Sequence, residues 1–129
     1  MSFQRDLKRF ADQRKMTVSQ AYRGVSIKLF EGIIMATPVD EGRARGNWIA
    51  SVGVPASGDA SADKSGGATV AKMMGTVSDS QPNFLTNNLP YIGRLEYQGW
   101  SEQAPSGMVR INMARVQKNL ADAVKEAER

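Results

Sequence analysis

The chain has 129 residues, 41% of them hydrophobic, with 17 Lys and Arg against 13 Asp and Glu for a net charge of +4, and it contains neither histidine nor cysteine. Without cysteine there are no disulfides, thiolate metal sites or thiol nucleophiles. Without histidine, a Ser-His-Asp triad and a conventional zinc site are both excluded. The length suits one domain spanning 1–129, burying roughly two-thirds of the surface that its unfolded chain would expose.

No apolar run approaches the roughly 20 residues needed to cross a bilayer. The first ten residues mix charged and apolar side chains, without the apolar core of a signal peptide. The expectation is a soluble protein made in the cytoplasm, with no membrane contact. The mild positive charge admits nucleic-acid binding. It forms no dense basic run and carries no RNA-binding aromatic signature, so a positively charged soluble surface is the preferred reading.

In chain order, Phe3, Leu7, Phe10 and Ala11 recur at spacings of three and four, which predicts a short helix over 3–14 with one apolar stripe. Thr17-Val-Ser-Gln20 reads as a capping box. There the Thr17 hydroxyl accepts from the Gln20 amide and the Gln20 side chain reaches back. The second helix then runs to about Ala36, its stripe being Val18, Ala21, Tyr22, Val25, Leu29, Ile33 and Ala36. Phe30, Ile34 and Met35 widen the stripe towards its end. Pro38 stops the helix, and Gly42 and Gly46 punctuate a tight turn from which Arg43 and Arg45 project. Trp48 to Val54 alternates large and small residues and predicts a strand.

Residues 55–68 carry no large apolar side chain and cannot offset their ordering entropy by burial. This Gly/Ser/Ala-rich tract is expected to be a flexible loop, ordered where neighbouring subunits hold it. A short helix is expected over 68–77, a strand over 83–87, and a helix over 91–97 with Pro90 at its first position and Asn88 or Leu89 as its cap. The final segment carries Val109, Met113, Val116, Leu120 and Val124 at helical spacing. Residues 108–113 also alternate, which leaves a short strand open there. The fold class is therefore α+β: N-terminal helices and a C-terminal helix packed on a small, mainly antiparallel sheet, with a long Gly/Ser/Ala-rich loop.

The charged residues Asp40, Glu41, Arg43 and Arg45 could form an active-site cluster or grip a phosphate. A turn whose arginines pair with nearby acids, Asp40 and Glu96 above all, is the simpler reading. Gly-Arg-Ala-Arg-Gly lacks the ending and spacing of a phosphate loop, and Glu96, Glu102 and Asp79 are too scattered to claim a carboxylate pair. Tyr91, Tyr97 and Trp100 could stack bases; core or interface anchoring is the preferred role. The seven methionines read as core or interface filler. No catalytic, metal-binding or cofactor-binding residue is assigned, and the chain is expected not to be an enzyme.

Two blocks together resemble the tail-completion or head–tail joining (neck) proteins of tailed bacteriophages. The first matches at Thr37, Pro38, Asp40, Gly42, Arg43, Arg45, Asn47 and Trp48. The second matches at Asn87, Pro90, Tyr91, Leu95, Glu96, Tyr97, Ser101, Gln103, Ala104, Pro105, Gly107, Met108 and Val109. The blocks cover roughly a third of the chain. It departs from the family pattern at Glu96-Tyr97-Gln98-Gly99, where the family runs Glu-Tyr-Gly directly.

The resemblance implies a structural virion protein, assembled in the bacterial cytoplasm as a homo-oligomeric ring, commonly a hexamer. Such a ring sits between the tail tube or tail terminator and the head connector or stopper, with DNA passing through its lumen. A ring needs heterologous contacts. Asp40, Arg43, Arg45, Trp48, Tyr91, Glu96, Tyr97 and Trp100 are the residues expected to serve as interface or structural lock. A tail-terminator ring capping the tube is the near alternative, and a nucleic-acid-binding accessory protein is a more distant one.

Overall fold

The computed structural model describes residues 3–39, 41–97, 101, 103, 104 and 107–127. In chain order these form α1 (Phe3–Gln13), α2 (Val18–Ala36), α3 (Arg43–Gly46), β1 (Ile49–Val52), α4 (Gly67–Thr76), β2 (Asn83–Thr86), α5 (Ile92–Tyr97) and α6 (Val109–Ala127). The architecture is α+β, as the sequence indicated. Asp40 and Trp100, and the Gln98-Gly99 departure, lie outside the described residues. None of the helices is long and apolar enough to cross a membrane.

Helices α1, α2 and α6 make one layer. α1 and α6 run parallel: Phe3 shares a groove with Met113 and Val116 at one end, and the Gln13 side chain donates to the Val124 carbonyl (3.2 Å) at the other. α2 runs against both, with Ala21 clustered with Leu7, Ala11 and Leu120 near its start and Gly32 beside Asn112 near its end. The capping box opens α2 as the sequence predicts, with both Thr17–Gln20 hydrogen bonds at 3.0 Å.

The main core lies at the other end of α2, where Phe30, Ile33 and Ile34 meet Trp48, Met73, Leu89, Leu95 and Met108. This changes the expected stripe. Val18 (47% exposed) and Met35 (45%) face solvent, whereas Phe30, Ile33 and Ile34 are buried. The reason is tertiary: near its start α2 buries Ala21 in the cluster with α1 and α6, whereas its second half joins the main core with residues of α3 and α4.

β1 and β2 pair antiparallel, Ile49 opposite Thr86 and Val52 opposite Asn83. The observed β1 is shorter than expected, because Trp48 turns into the core and Gly53 adopts a positive φ of 85°. Ala50 and Leu85 face the core, which directs Ile49, Ser51, Phe84 and Thr86 to the opposite face. The Tyr22 hydroxyl fastens β2 to α2, donating to the Gln81 carbonyl and accepting from the Asn83 amide and side chain. Arg23 closes the end of α4 by donating to the Met74 and Val77 carbonyls.

Three further expectations change. Residues 43–46 form a single helical turn, α3, with Gly42 at its N-cap, where a tight glycine-punctuated turn was expected. Residues 109–113 are helical, so the strand left open there is absent. α5 begins at Ile92, one residue later than expected.

Candidate functional site

The first block is organised around the exposed carbonyls at the end of α2. A helix leaves its last carbonyls without intrahelical partners. Here the Arg45 guanidinium serves two C-terminal carbonyls, its Nη2 donating to those of Met35 (2.8 Å) and Thr37 (3.1 Å). Its Nη1 donates to the Lys64 carbonyl (2.8 Å), which joins the tract after β1 to the same point. Among the described residues Arg45 therefore pairs with backbone carbonyls, and a cation at a helix C-terminus also complements the helix dipole.

Thr37, only 1% exposed, donates its hydroxyl to the Ile33 carbonyl (2.7 Å) and accepts from Trp48 Nε1 (2.8 Å). Trp48 is thus an internal lock. Both its indole face and its N–H are satisfied inside the chain.

The two glycines of this block act differently from one another. Gly42 does adopt a positive φ (81°). Gly46 is helical, and its requirement is proximity: a Cβ there would lie 2.1 Å from the Ser61 carbonyl. Between them, the segment holds the tract expected to be flexible. The Ala60 amide donates to Asn47 Oδ1 (2.7 Å) and the Asp63 amide to the Gly42 carbonyl (2.9 Å), while Asn88 Nδ2 reaches the Ala56 and Gly58 carbonyls. The tract is held by the chain itself through backbone groups. Composition could not show this, because it counts apolar side chains and not polar backbone.

In the second block, Glu96 sits at the end of α5, 6% exposed, and caps the start of α6. Its carboxylate accepts from the amides of Met108 (2.8 Å), Val109 (2.7 Å) and Arg110 (3.0 Å) and from Arg110 Nε (3.0 Å). Arg110 Nη2 also donates to the Glu96 carbonyl. Burial alone would raise the pKa of this carboxyl. The amide and guanidinium hydrogen bonds outweigh it and hold the group below the ordinary glutamate value. Gly107, at φ 81°, is what lets the chain approach: a Cβ would meet the Glu96 carbonyl at 2.5 Å and Oε2 at 2.8 Å.

Glu96 is thus not the partner of Arg43 or Arg45. Its partner is Arg110, which the sequence reading missed. The available signal was a cation in the first turn of a helix, an unfavourable place unless an acid sits beside it. Arg110 also lies over the Tyr97 ring, 5.1 Å from its centroid. Tyr97 itself is 71% exposed, so it is no core anchor. Tyr91 is half-buried and packs against the main core.

The two blocks meet. Gln103 and Val39 bond reciprocally, the Val39 amide donating to Gln103 Oε1 (2.8 Å) and Gln103 Nε2 donating to the Val39 carbonyl (3.2 Å). Asn87 Nδ2 donates to the Ala44 carbonyl (2.9 Å). Between the blocks opens a cleft of about 440 Å³, with Val39, Glu41 and Arg43 from the first and Tyr91, Leu95 and Gln103 from the second among its lining. Glu41 and Arg43 stand exposed beside it. Among the described residues, no group of three or more Asp and Glu side chains is placed to hold a metal ion. Comparison of the chain with protein-family models, with curated proteins and with solved structures gave no match.

Proposed function

We propose that this chain is a structural subunit of a tailed-bacteriophage virion, forming a ring at the head–tail junction as a tail-completion or neck protein, with DNA passing through the lumen. The reading rests on the resemblance of the two sequence blocks. The observation that supports it is that the blocks, separated by some forty residues of chain, meet through Gln103–Val39 and Asn87–Ala44 and share one cleft. Most of their polar side chains are consumed internally: Thr37, Arg45, Asn47 and Trp48 in the first block, Asn87, Glu96 and Gln103 in the second. Glu41 and Arg43 lie exposed at the cleft, and Tyr97 lies exposed beside Arg110. These are the side chains assigned to a neighbouring subunit, and no catalytic role is assigned to any residue.

The test is Arg43→Ala introduced into the assembling phage. Electron microscopy should show separate heads and tails in place of joined particles. Tails of normal length that fail to join assign the ring to completion or neck, whereas tails of uncontrolled length assign it to the terminator. Normal infectious particles would remove Arg43 from the joint.

A further inference from the structure

Helix α3 is a single turn, and a helix of this length is not stable by itself. It is closed by the Gly46 amide, which donates to the Gly42 carbonyl (2.9 Å), and that same carbonyl also accepts the Asp63 amide (2.9 Å). At the other end Asn47 is used twice. Its Nδ2 donates to the Arg43 carbonyl (2.7 Å), and its Oδ1 accepts from the Ala60 amide (2.7 Å). The two groups that complete the turn therefore also hold residues 59–64, and Arg45 adds a third tie through the Lys64 carbonyl (2.8 Å). Residues 59–64 depend on these ties in return. They contain neither helix nor strand, and all but Asp63 are exposed, so little buried apolar surface keeps them in place.

The other side of the turn is a wall of the cleft between the two sequence blocks. Arg43 and Ala44 line that cleft, while Gly42, Arg45 and Gly46 face residues 61–64. At about 100° per residue, the first pair and the second set lie on opposite sides of one helical turn. The positions of Arg43 and Ala44 in the cleft wall thus follow from the winding of α3, and that winding is shared with the tract behind it.

We propose that α3 and residues 59–64 form one cooperative latch, and that a neighbouring subunit seated in the cleft against Arg43 and Ala44 closes it. The latch rests on the cleft being the contact surface assigned above, and adds a regulatory link to that surface. Linkage is reciprocal: a closed tract favours occupancy of the cleft as much as occupancy favours a closed tract. Arrival of a neighbour on one side of α3 thereby orders the exposed surface at residues 59–62 on the other.

The test reads amide hydrogen exchange in the isolated full chain. The Gly46, Ala60 and Asp63 amides should exchange through one common opening. The exposed Asn88 side chain bonds the Ala56 and Gly58 carbonyls and, among the described residues, nothing in α3. Asn88→Ala should nonetheless speed all three amides by at least about fivefold, the low end of a coupling between sites. Faster exchange at Ala60 with Gly46 unchanged would overturn the latch. For the cleft side, the chain has no cysteine of its own, so Arg43→Cys takes a single label. An aryl maleimide whose ring reaches Tyr91 and Leu95 should slow the same three amides at least about fivefold relative to the small adduct of iodoacetamide, and the same aryl label on Lys118→Cys should not. Equal exchange with the large and small adducts on Arg43→Cys would overturn the link to the cleft. Linked amides in a chain whose Arg43→Ala particles are normal leave the latch standing and remove the cleft from the joint. Unlinked amides with unjoined Arg43→Ala particles defeat the latch and leave the joint in place.

Discussion

Replacing Glu96 with glutamine keeps the shape of the side chain and removes its charge from the start of α6. Glu96 accepts four hydrogen bonds, from the amides of Met108, Val109 and Arg110 and from Arg110 Nε. Bonds of this kind to a charged group are worth about 1.5–3 kcal/mol each. Glutamine retains one carbonyl oxygen, able to serve two donors, and turns its NH2 towards the others, so roughly two bonds are lost. The Arg110 side chain is 53% exposed and can exchange its partner for water, which places the cost at the lower end, about 3 kcal/mol. That is a large part of the roughly 5–15 kcal/mol that holds a domain folded. The effect carries a pH signature. The Glu96 carboxyl is held below its ordinary value of 4.5, so its contribution is complete above that pH and is lost as pH falls through the lower folded-state value. Urea unfolding of wild type and Glu96→Gln should therefore differ by about 3 kcal/mol near neutrality and converge in acid. A difference below about 1 kcal/mol, or one of constant size across that range, would refute the assignment of Glu96 as a charged cap.

Two arginines two residues apart should behave oppositely. Arg45→Ala removes three hydrogen bonds to carbonyls and should cost about 2–4 kcal/mol by chemical denaturation, whereas the exposed Arg43→Ala should stay within about 0.5 kcal/mol. Comparable losses in the two would mean that Arg45 is not the internal lock. Gly46→Ala places a methyl 2.1 Å from the Ser61 carbonyl. It should destabilise by about 1–3 kcal/mol and speed hydrogen exchange at Ala60 and Asp63; unchanged exchange there would show that the close approach does not hold the tract.

Elements whose determinants lie close in sequence were legible. The Thr17–Gln20 box spans three residues, and Pro38 ends α2 through its effect on its immediate predecessor, so both could be read directly. The cap of α6 could not, because Glu96 stands 12 to 14 residues before the amides it serves and belongs to a different helix. Arg45 was singled out, but the carbonyl partners that it finds among the described residues were not foreseen. Charge suggested an acid, while the geometry of a helix end offered carbonyls. The same limit explains α2, whose helical spacing identifies a stripe but not which half of it another element covers. In residues 55–68 the absence of apolar side chains was read as freedom, when the holding groups are asparagine and arginine side chains elsewhere acting on its backbone.

That last arrangement separates the path of the tract from its composition. Arg45, Asn47 and Asn88 grip carbonyls and an amide, groups that every residue other than proline supplies in full, so they specify where the chain runs without specifying its side chains. Within the tract, side-chain size is constrained at buried Gly66, where the φ is 79° and a Cβ would meet the Met35 and Arg45 side chains. At the exposed positions Ser57, Asp59, Ala60 and Ala62, the surface can be rewritten in charge or size while its supporting frame stays in place. The fold thus provides an addressable patch, one on which recognition can diverge without renegotiating stability.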